Sequence, residues 1–284
     1  MAAVSSQASA STTLGIIAGR GALPLRLVEH CRGTGRPVFV LAVEGETDPS
    51  LVSEVPHAWV RLGAAATIFG HLRDAGVRDL VLAGAMKRPS FANIRPDWRA
   101  AKIIARIGMK ALGDDGLLQA LIKEFEAEGF TIIGADKILG GLVARDGVLG
   151  RHAPDAQALA DVAHGFAVVK ALGALDIGQA AVVQQGLVLG VEAIEGTDAL
   201  LERCGTLRRE GPGGVLVKAR KPVQDNRVDL PSIGPLTVEH VAAAGLRGIA
   251  VEAGASLIIE CDAVVAAADR LGLFVIGHTP PNAT

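Results

Sequence analysis

Short apolar runs alternate with amphipathic stretches along the first half of the chain. The predicted strands are residues 14–18, 37–43, 79–83 and 130–133, and the predicted helices are residues 23–30, 64–75, 97–112 and 114–128. Strand-helix-strand alternation is typical of parallel strands joined by right-handed crossovers. The pattern therefore predicts an α/β fold that begins with a Rossmann-like parallel-sheet domain.

The pattern changes after a glycine-rich segment, residues 140–154, and a long apolar helix predicted over residues 155–175. Two apolar runs, residues 180–184 and 187–194, flank the dipeptide Gln185-Gly186, which predicts a β-hairpin. The later predicted elements are helices at 197–203, 237–244 and 262–271 and strands at 215–219, 248–252, 256–260 and 273–276. We therefore predict two domains: a Rossmann-like domain over residues 1–154, with a disordered tail over 1–12, and a smaller mixed α/β domain over residues 155–284.

Composition narrows the class of protein. The chain has 284 residues, of which 50% are hydrophobic and 3% aromatic, with no Tyr and a net charge of -2. Nucleic acid is therefore not an expected partner, because neither a basic surface nor stacking aromatic rings are available. Three scattered cysteines fit a reducing cytoplasm. No apolar run reaches the roughly 18 residues of a membrane span, so any membrane contact is expected to be peripheral.

A dense polar segment, residues 218–231, stands out between apolar runs, and we call it the polar loop. Pro222 and Pro231 stiffen it. Its polar side chains are Lys218, Arg220, Lys221, Gln224, Asp225, Arg227 and Asp229. Cations beside carboxylates suit a phosphorylated substrate, because Lys and Arg bind phosphate oxygens while an Asp activates water or binds a divalent cation. A structural salt-bridge cluster is the alternative.

Glycines follow two predicted strands of the first domain at one sheet edge, where ligands of open α/β sheets bind. Gly19 and Gly21 follow the first strand, and Gly84 with Lys87 follows the third. A nucleotide-type ligand and a structural tight turn both remain open for the first loop. The dinucleotide fingerprint G-x-G-x-x-G is absent, which argues against a nicotinamide cofactor. Lys87 faces either a diphosphate or solvent.

Polar residues also flank the predicted hairpin. Gln179 precedes it, and the sequence from Glu192 to Asp198 follows it. Thr197 or Asp198 either caps the next helix or, together with Gly196, presents N–H and hydroxyl groups to a phosphate. Strand alternation does not require Glu192 and Glu195 to converge.

The histidines form no zinc-binding pattern and no motif of a dinuclear phosphoesterase. Asp161 and His164 share one face of a predicted helix, where a packing or hydrogen-bonding role is favoured over a metal role because no third ligand is near in sequence.

Four motifs together indicate a family, and the last two are too long to be chance. They are L-G-I-I-A-G-x-G-x-L-P from Leu14, the pair D-I-G-Q and E-A-I-E-G-T-D around the hairpin, and K-P-x-Q-D-x-R-x-D-L-P-x-I-G-x-x-T from Lys221. The chain resembles the LpxI-type UDP-2,3-diacylglucosamine pyrophosphatase family of lipid A biosynthesis from about residue 14 to residue 277.

The resemblance implies Mg²⁺-dependent hydrolysis of the pyrophosphate bond of UDP-2,3-diacylglucosamine to UMP and 2,3-diacylglucosamine 1-phosphate. It implies catalytic roles in the second domain for Asp225, Lys221 and Arg227. We predict that Asp225 binds the metal or orients the water, with Asp229, Glu195 and Glu192 as reserve ligands. The implied substrate-binding residues are Gly19, Gly21, Gly84, Lys87, Gln179, Gly196, Thr197, Lys218 and Gln224.

The implied substrate is an amphiphilic nucleotide-sugar lipid. We also expect a peripheral contact with the inner membrane from the cytoplasm and a homodimer. Residues 155–175 and 238–259 either line an acyl-chain tunnel or form ordinary core. The alternatives to the hydrolase are a nucleotide-sugar oxidoreductase and a non-catalytic protein that binds lipid or nucleotide.

Overall fold

The computed structural model describes residues 12–86, 95–107, 114–222, 227–228 and 230–280. These residues divide into two compact units. Described residues up to Leu139, except 114 and 115, belong to the first unit, and those from Gly140 onward belong to the second.

The first unit contains a five-stranded sheet in the order β3-β2-β1-β4-β5, and every neighbouring pair is parallel. Its strands are β1 (Thr13–Ala18), β2 (Val38–Val43), β3 (His57–Val60), β4 (Val77–Ala83) and β5 (Thr131–Ile132). The order reverses beside β1, as in doubly wound folds. The predicted Rossmann-like sheet is confirmed, with β3 as an unpredicted edge strand.

Helices pack against both faces of this sheet. The helices of the first unit are α1 (Leu23–Thr34), α2 (Ala65–Asp74), α3 (Trp98–Ile107), α4 (Asp114–Ala127) and α5 (Ala135–Leu139), with a 3-10 helix at Pro49–Val52. Leu27 of α1 packs in one buried cluster with Leu14 and Ile16 of β1. Leu72 of α2 lies against Gly15, which alternation places on the opposite face.

The second unit contains a six-stranded mixed sheet in the order β6-β13-β11-β9-β7-β8. Its strands are β6 (Gly147–Leu149), β7 (Ala180–Gln184), β8 (Leu187–Val191), β9 (Val215–Lys218), β11 (Gly248–Glu252) and β13 (Phe274–His278), and a separate pair is formed by β10 (Ser232–Ile233) and β12 (Leu257–Ile258). Strands β9, β11 and β13 are parallel, whereas β6, β7 and β8 pair antiparallel to their neighbours. The predicted mixed α/β architecture is confirmed.

The second unit begins earlier in the chain than the predicted boundary at Pro154. Strand β6 pairs with β13, so the glycine-rich segment contributes to the second sheet. The physical reason is that a three-residue edge strand carries too little alternation to be read from sequence.

The helices of the second unit are α6 (Ala156–Ala174), α7 (Gly196–Thr206), α8 (Pro235–Ala243) and α9 (Cys261–Leu271). Val162, Phe166 and Val169 of α6 share a buried cluster with strands β7 and β9. A Cβ on Gly165 would lie 2.4 Å from Cγ2 of Val217, so α6 lies directly on the sheet. Ordinary core packing, and not a tunnel, is therefore what this face of α6 shows.

The other segment proposed for the tunnel also contributes to the core. Val238 and Val241 of α8 pack with Ile249 and Val251 of β11 in a second buried cluster. In the part of the chain that the structure describes, no helix combines the length and the apolar character needed to cross a membrane.

Asp161 on α6 holds the turn of the β7-β8 hairpin. Its carboxylate accepts the backbone N–H of Gln185 at 2.9 Å and of Gly186 at 2.7 Å. Both turn residues have positive φ, as a type I′ hairpin requires. The predicted hydrogen-bonding role of Asp161 is confirmed, and His164 on the same helix is exposed.

Asp155 caps the N-terminus of α6, and this cap gives a testable prediction. Its carboxylate accepts from Ala158 N at 2.7 Å and from Arg247 Nη1 at 2.8 Å. The hydrogen bond from Ala158, followed by that from Arg247, lowers the pKa of Asp155. We expect Asp155→Ala to lower the Tm and Asp155→Asn to lower it less, because Asn can still accept from Ala158.

The pH dependence of the Tm tests whether the ionised carboxylate of Asp155 is the cause of this stabilisation. Since the folded-state pKa of Asp155 is lowered, its stabilisation is complete above the ordinary carboxyl pKa and is lost as pH falls through the lowered value. The Tm difference between wild type and Asp155→Ala should therefore shrink in acid, and a difference that grows on acidification would contradict the assignment.

Candidate active site

Two buried side chains of opposite charge lie at the carboxyl edge of the second sheet. Lys218 ends β9 and Glu252 ends β11, and these strands are parallel neighbours. Lys218 is 5% exposed and Glu252 is 3% exposed. Buried charges require paired partners, so each of these residues fixes the groups around it.

Lys218 is the start of a chain of three side chains. Its Nζ donates to Oγ1 of Thr197 at 2.9 Å and to the carbonyl of Ser232 at 3.1 Å. The Thr197 hydroxyl in turn donates to Oε1 of Glu192 at 2.6 Å. An ammonium and a carboxylate are thus connected through one hydroxyl group, and we call these residues the Lys218 cluster.

Glu192 connects the Lys218 cluster to the segment before the hairpin. Its Oε2 accepts the backbone N–H of Gln179 at 3.0 Å. The carbonyl of Gln179 accepts from Ala219 N, the residue that follows Lys218. The structure therefore brings together Gln179, Thr197 and Lys218, which are 39 positions apart in sequence at most.

Thr197 does not cap α7, which was one alternative for it. The helix begins at Gly196, and its N-cap position, Glu195, makes no side-chain capping bond. Gly196 has φ +81°, a left-handed conformation that glycine adopts without strain. The side chain of Thr197 is directed to Glu192 and Lys218 instead.

Glu195, a predicted metal ligand, has protein partners. Its Oε1 lies 2.8 Å from Nη2 of Arg203, and its Oε2 accepts Ala193 N at 3.1 Å. Hydrogen bonds from the backbone, first its own N–H, and from Arg203 lower the pKa of Glu195. In the arrangement described, the carboxylates of Glu192 and Glu195 use separate partners.

Lys221 is also buried, with its Nζ 2.7 Å from Oδ1 of Asp176. Arg227 is half-buried and follows in the same loop. Gln224, Asp225 and Asp229 of the polar loop, and Lys87 of the first unit, lie outside the described residues.

The glycine loops of the first unit pair with each other. Gly19 N donates to Ala83 O at 2.8 Å, and Arg20 and Ala85 exchange two backbone hydrogen bonds. A Cβ on Gly19 would lie 2.5 Å from Ala85 O, and one on Gly84 would lie 2.5 Å from Arg20 O. This close approach is a structural reason for Gly19 and Gly84.

A phosphate cannot use the N–H groups of Gly19 and Arg20 while they are bonded in this way. Gly21 has φ +94° and is exposed, with nothing near its Cβ position. It stays a predicted ligand contact.

The pair formed by Lys170 and Glu252 was missed by sequence reasoning. Lys170 Nζ lies 2.7 Å from both carboxylate oxygens of Glu252. One signal was present: Glu252 ends the apolar run G-I-A-V-E and is therefore expected at a sheet edge. Its partner on α6 is 82 residues away and left no local pattern.

Metal ligation stays a prediction. Among the described residues, no group of three or more His, Cys, Asp or Glu side chains could hold a metal ion. Asp225 and Asp229 are not among the described residues.

The structure is that of a protein with two α/β units. The second unit has buried cations and carboxylates at the carboxyl ends of parallel strands. Residues 13–142 match the LpxI N-terminal domain and residues 145–276 match the LpxI C-terminal domain. The UDP-2,3-diacylglucosamine pyrophosphatase LpxI of Caulobacter vibrioides is 46% identical over 274 residues, which cover 94% of this chain and 98% of that protein. The chain belongs to the LpxI family, and the resemblance read from its motifs is confirmed.

The Thr197 hydroxyl can be tested directly. Thr197→Val removes the hydroxyl group between Lys218 and Glu192. The buried side chains of Lys218 and Glu192 therefore each lose one hydrogen bond. We expect the free energy of unfolding to fall by about 1–3 kcal/mol, measured by urea denaturation. Thr197→Ser keeps the hydroxyl and is the matched control. Equal stability of Thr197→Val and wild type would show that the chain of three side chains is not formed.

Proposed function

We propose that this chain is a hydrolase that cleaves the pyrophosphate bond of UDP-2,3-diacylglucosamine to give UMP and 2,3-diacylglucosamine 1-phosphate, with Mg²⁺ as cofactor. The observation that carries the proposal is the Lys218 cluster at the carboxyl edge of the second sheet. Family membership and the printed name of the Caulobacter relative support the choice of substrate.

Lys218 and two cations of the polar loop provide the electrostatics that a pyrophosphate requires. Lys218 and Lys221 are buried cations three positions apart, and Arg227 follows in the same loop. Cations in a water-poor site stabilise the charge of phosphoryl oxygens more strongly than cations in bulk water do. We assign these three residues to charge neutralisation on the two phosphoryl groups.

The N-terminus of α7 is a second source of positive potential. Helix N-termini direct unpaired N–H groups outward and bind phosphates. The 11-residue helix α7 starts at Gly196 without a side-chain cap, and its second residue, Thr197, contacts Lys218. A phosphate there would interact with both an ammonium and helix N–H groups.

Asp225 is proposed to orient the attacking water or to bind the metal. Asp225 and Asp229 carry the oxygen donors that Mg²⁺ prefers, so their chemistry fits this ion. Glu195 could join them only by giving up its ion pair with Arg203. When bound, Mg²⁺ would supply charge neutralisation on the pyrophosphate oxygens.

The lipid half of the substrate requires apolar surface near these charges. Leu175, Ile177 and Ile194 are 71%, 44% and 95% exposed. Ile177 and Ile194 stand two positions from Gln179 and Glu192, which bond to each other in the site. We propose that this surface receives acyl chains and makes a peripheral contact with the inner membrane from the cytoplasm. The homodimer stays a prediction.

UMP release tests the proposed function. Purified full-length protein incubated with UDP-2,3-diacylglucosamine and Mg²⁺ in detergent micelles should release UMP, and a chelator should stop the release. Asp225→Ala should fold, keep its affinity for substrate and lose roughly 10²- to 10⁴-fold in turnover if Asp225 is a general base.

The controls separate function from residue role. No UMP from the wild type would contradict the proposed hydrolase and leave an oxidoreductase or a non-catalytic binding protein. Wild-type turnover in Asp225→Ala would contradict only the role of Asp225.

A further inference from the structure

We propose that Lys170 and Glu252 are positioning residues that fix the start of the polar loop for the hydrolysis proposed above. The inference rests on that proposed function, but its geometry is independent of it. The observation is that both backbone polar groups of Arg220 are held by one ion pair, whose carboxylate is buried and whose ammonium is part-buried.

The ion pair contacts Arg220 from two sides. Oε2 of Glu252 accepts Arg220 N at 2.9 Å, and Nζ of Lys170 donates to Arg220 O at 3.0 Å. The same Nζ lies 2.7 Å from each oxygen of Glu252. These four contacts fix the orientation of the peptide groups on either side of Arg220, two residues after β9 ends.

The position of Arg220 explains why its backbone orientation matters. Lys218 and Lys221 flank it and point to different partners, Thr197 and Asp176. A rotation of the backbone at Arg220 would therefore move one buried cation relative to the other. Both are assigned to the pyrophosphate, which requires them at fixed separation.

The end of α6 supports the same loop beyond Arg220. A Cβ on Gly173 would lie 3.1 Å from Lys221 Cα and 3.1 Å from Pro222 Cδ. Lys170 and Gly173 are one helical turn apart, so one face of α6 contacts residues 220, 221 and 222 in succession. The polar loop leaves the sheet against a rigid helix surface.

Stability alone is a weak explanation for this pair. Buried ion pairs are often no more stabilising than apolar side chains of the same size, because removing two charges from water is costly. Glu252 is 3% exposed, and the side chain of Lys170 is 30% exposed. What apolar side chains could not provide is one acceptor for Arg220 N and one donor for Arg220 O.

Glu252→Gln and Lys170→Met test the proposal. Glu252→Gln keeps the shape and an acceptor oxygen but removes the charge that holds Lys170, and Lys170→Met removes the donor. We expect kcat to fall about 10- to 100-fold with KM nearly unchanged, because misplacement of charged groups acts on the transition state. Lys170→Arg keeps the cation and should restore most of kcat.

Asp161→Asn is the matched control. Asp161 is a buried carboxylate on the same helix that also accepts backbone N–H groups, but it holds the hairpin turn. Asp161→Asn should have a lower Tm than the wild type. Its kcat, measured well below the Tm of either protein, should equal that of the wild type. The proposal is overturned if Glu252→Gln keeps wild-type kcat, or if Asp161→Asn loses as much kcat as Glu252→Gln.

Amide hydrogen exchange shows which backbone N–H groups each substitution releases. Glu252→Gln should speed exchange of the Arg220 amide, whereas Asp161→Asn should speed exchange at Gln185 and Gly186. If the wild type releases no UMP, the proposed hydrolysis and the positioning role for it both fail. In that case fast exchange at Arg220 in Glu252→Gln still establishes the contact as a structural clamp, and unchanged exchange refutes the clamp as well.

Discussion

The burial of two opposite charges at the ends of neighbouring parallel strands is the constraint on which the second unit depends. A buried ion is costly unless it is paired and hydrogen-bonded, so Lys218 and Glu252 require partners from other elements. Lys218 finds them on α7 and at Ser232, and Glu252 finds one on α6. The loops at this sheet edge converge because the two charges must be satisfied there.

This arrangement is also suited to catalysis. Lys218 and Glu252 use different partners, and the backbone two residues after Lys218 is bonded to the Lys170–Glu252 pair at the start of the polar loop. Groups already held by hydrogen bonds need little reorganisation when charge develops on a bound phosphate. The Lys218 cluster and the Lys170–Glu252 pair that holds Arg220 therefore belong to one preorganised region. The Lys218 cluster provides the charge, and the ion pair fixes the backbone orientation at Arg220.

The sequence pattern was sufficient for features that depend on local signals. Apolar alternation predicted the parallel sheet, and Gln185-Gly186 predicted the hairpin between β7 and β8. Edge strands β3 and β6 were missed because they are only four and three residues long and mostly exposed, so their pattern is too short to predict a strand. The domain division differs from the predicted one for the same reason.

Within the site, residues that belong to sequence motifs could be predicted, whereas contacts between residues far apart in the chain could not. Motifs placed Gln179, Thr197 and Lys218 among the substrate-binding residues, and the structure brings them together. No pattern joins Lys170 to Glu252, because their contact depends on how α6 crosses the sheet. Likewise, the glycines at 19 and 84 have a ligand-like spacing, and only the three-dimensional structure reveals that their loops pair with each other.

We propose that the Lys218 cluster binds the pyrophosphate, and a crystal structure of the Asp225→Ala variant with UDP-2,3-diacylglucosamine would test this. We expect a phosphate oxygen at about 3 Å from Nζ of Lys218 or from a first-turn N–H of α7. A pyrophosphate bound without contact to either group, with Lys218 still bonded only within the protein, would contradict it.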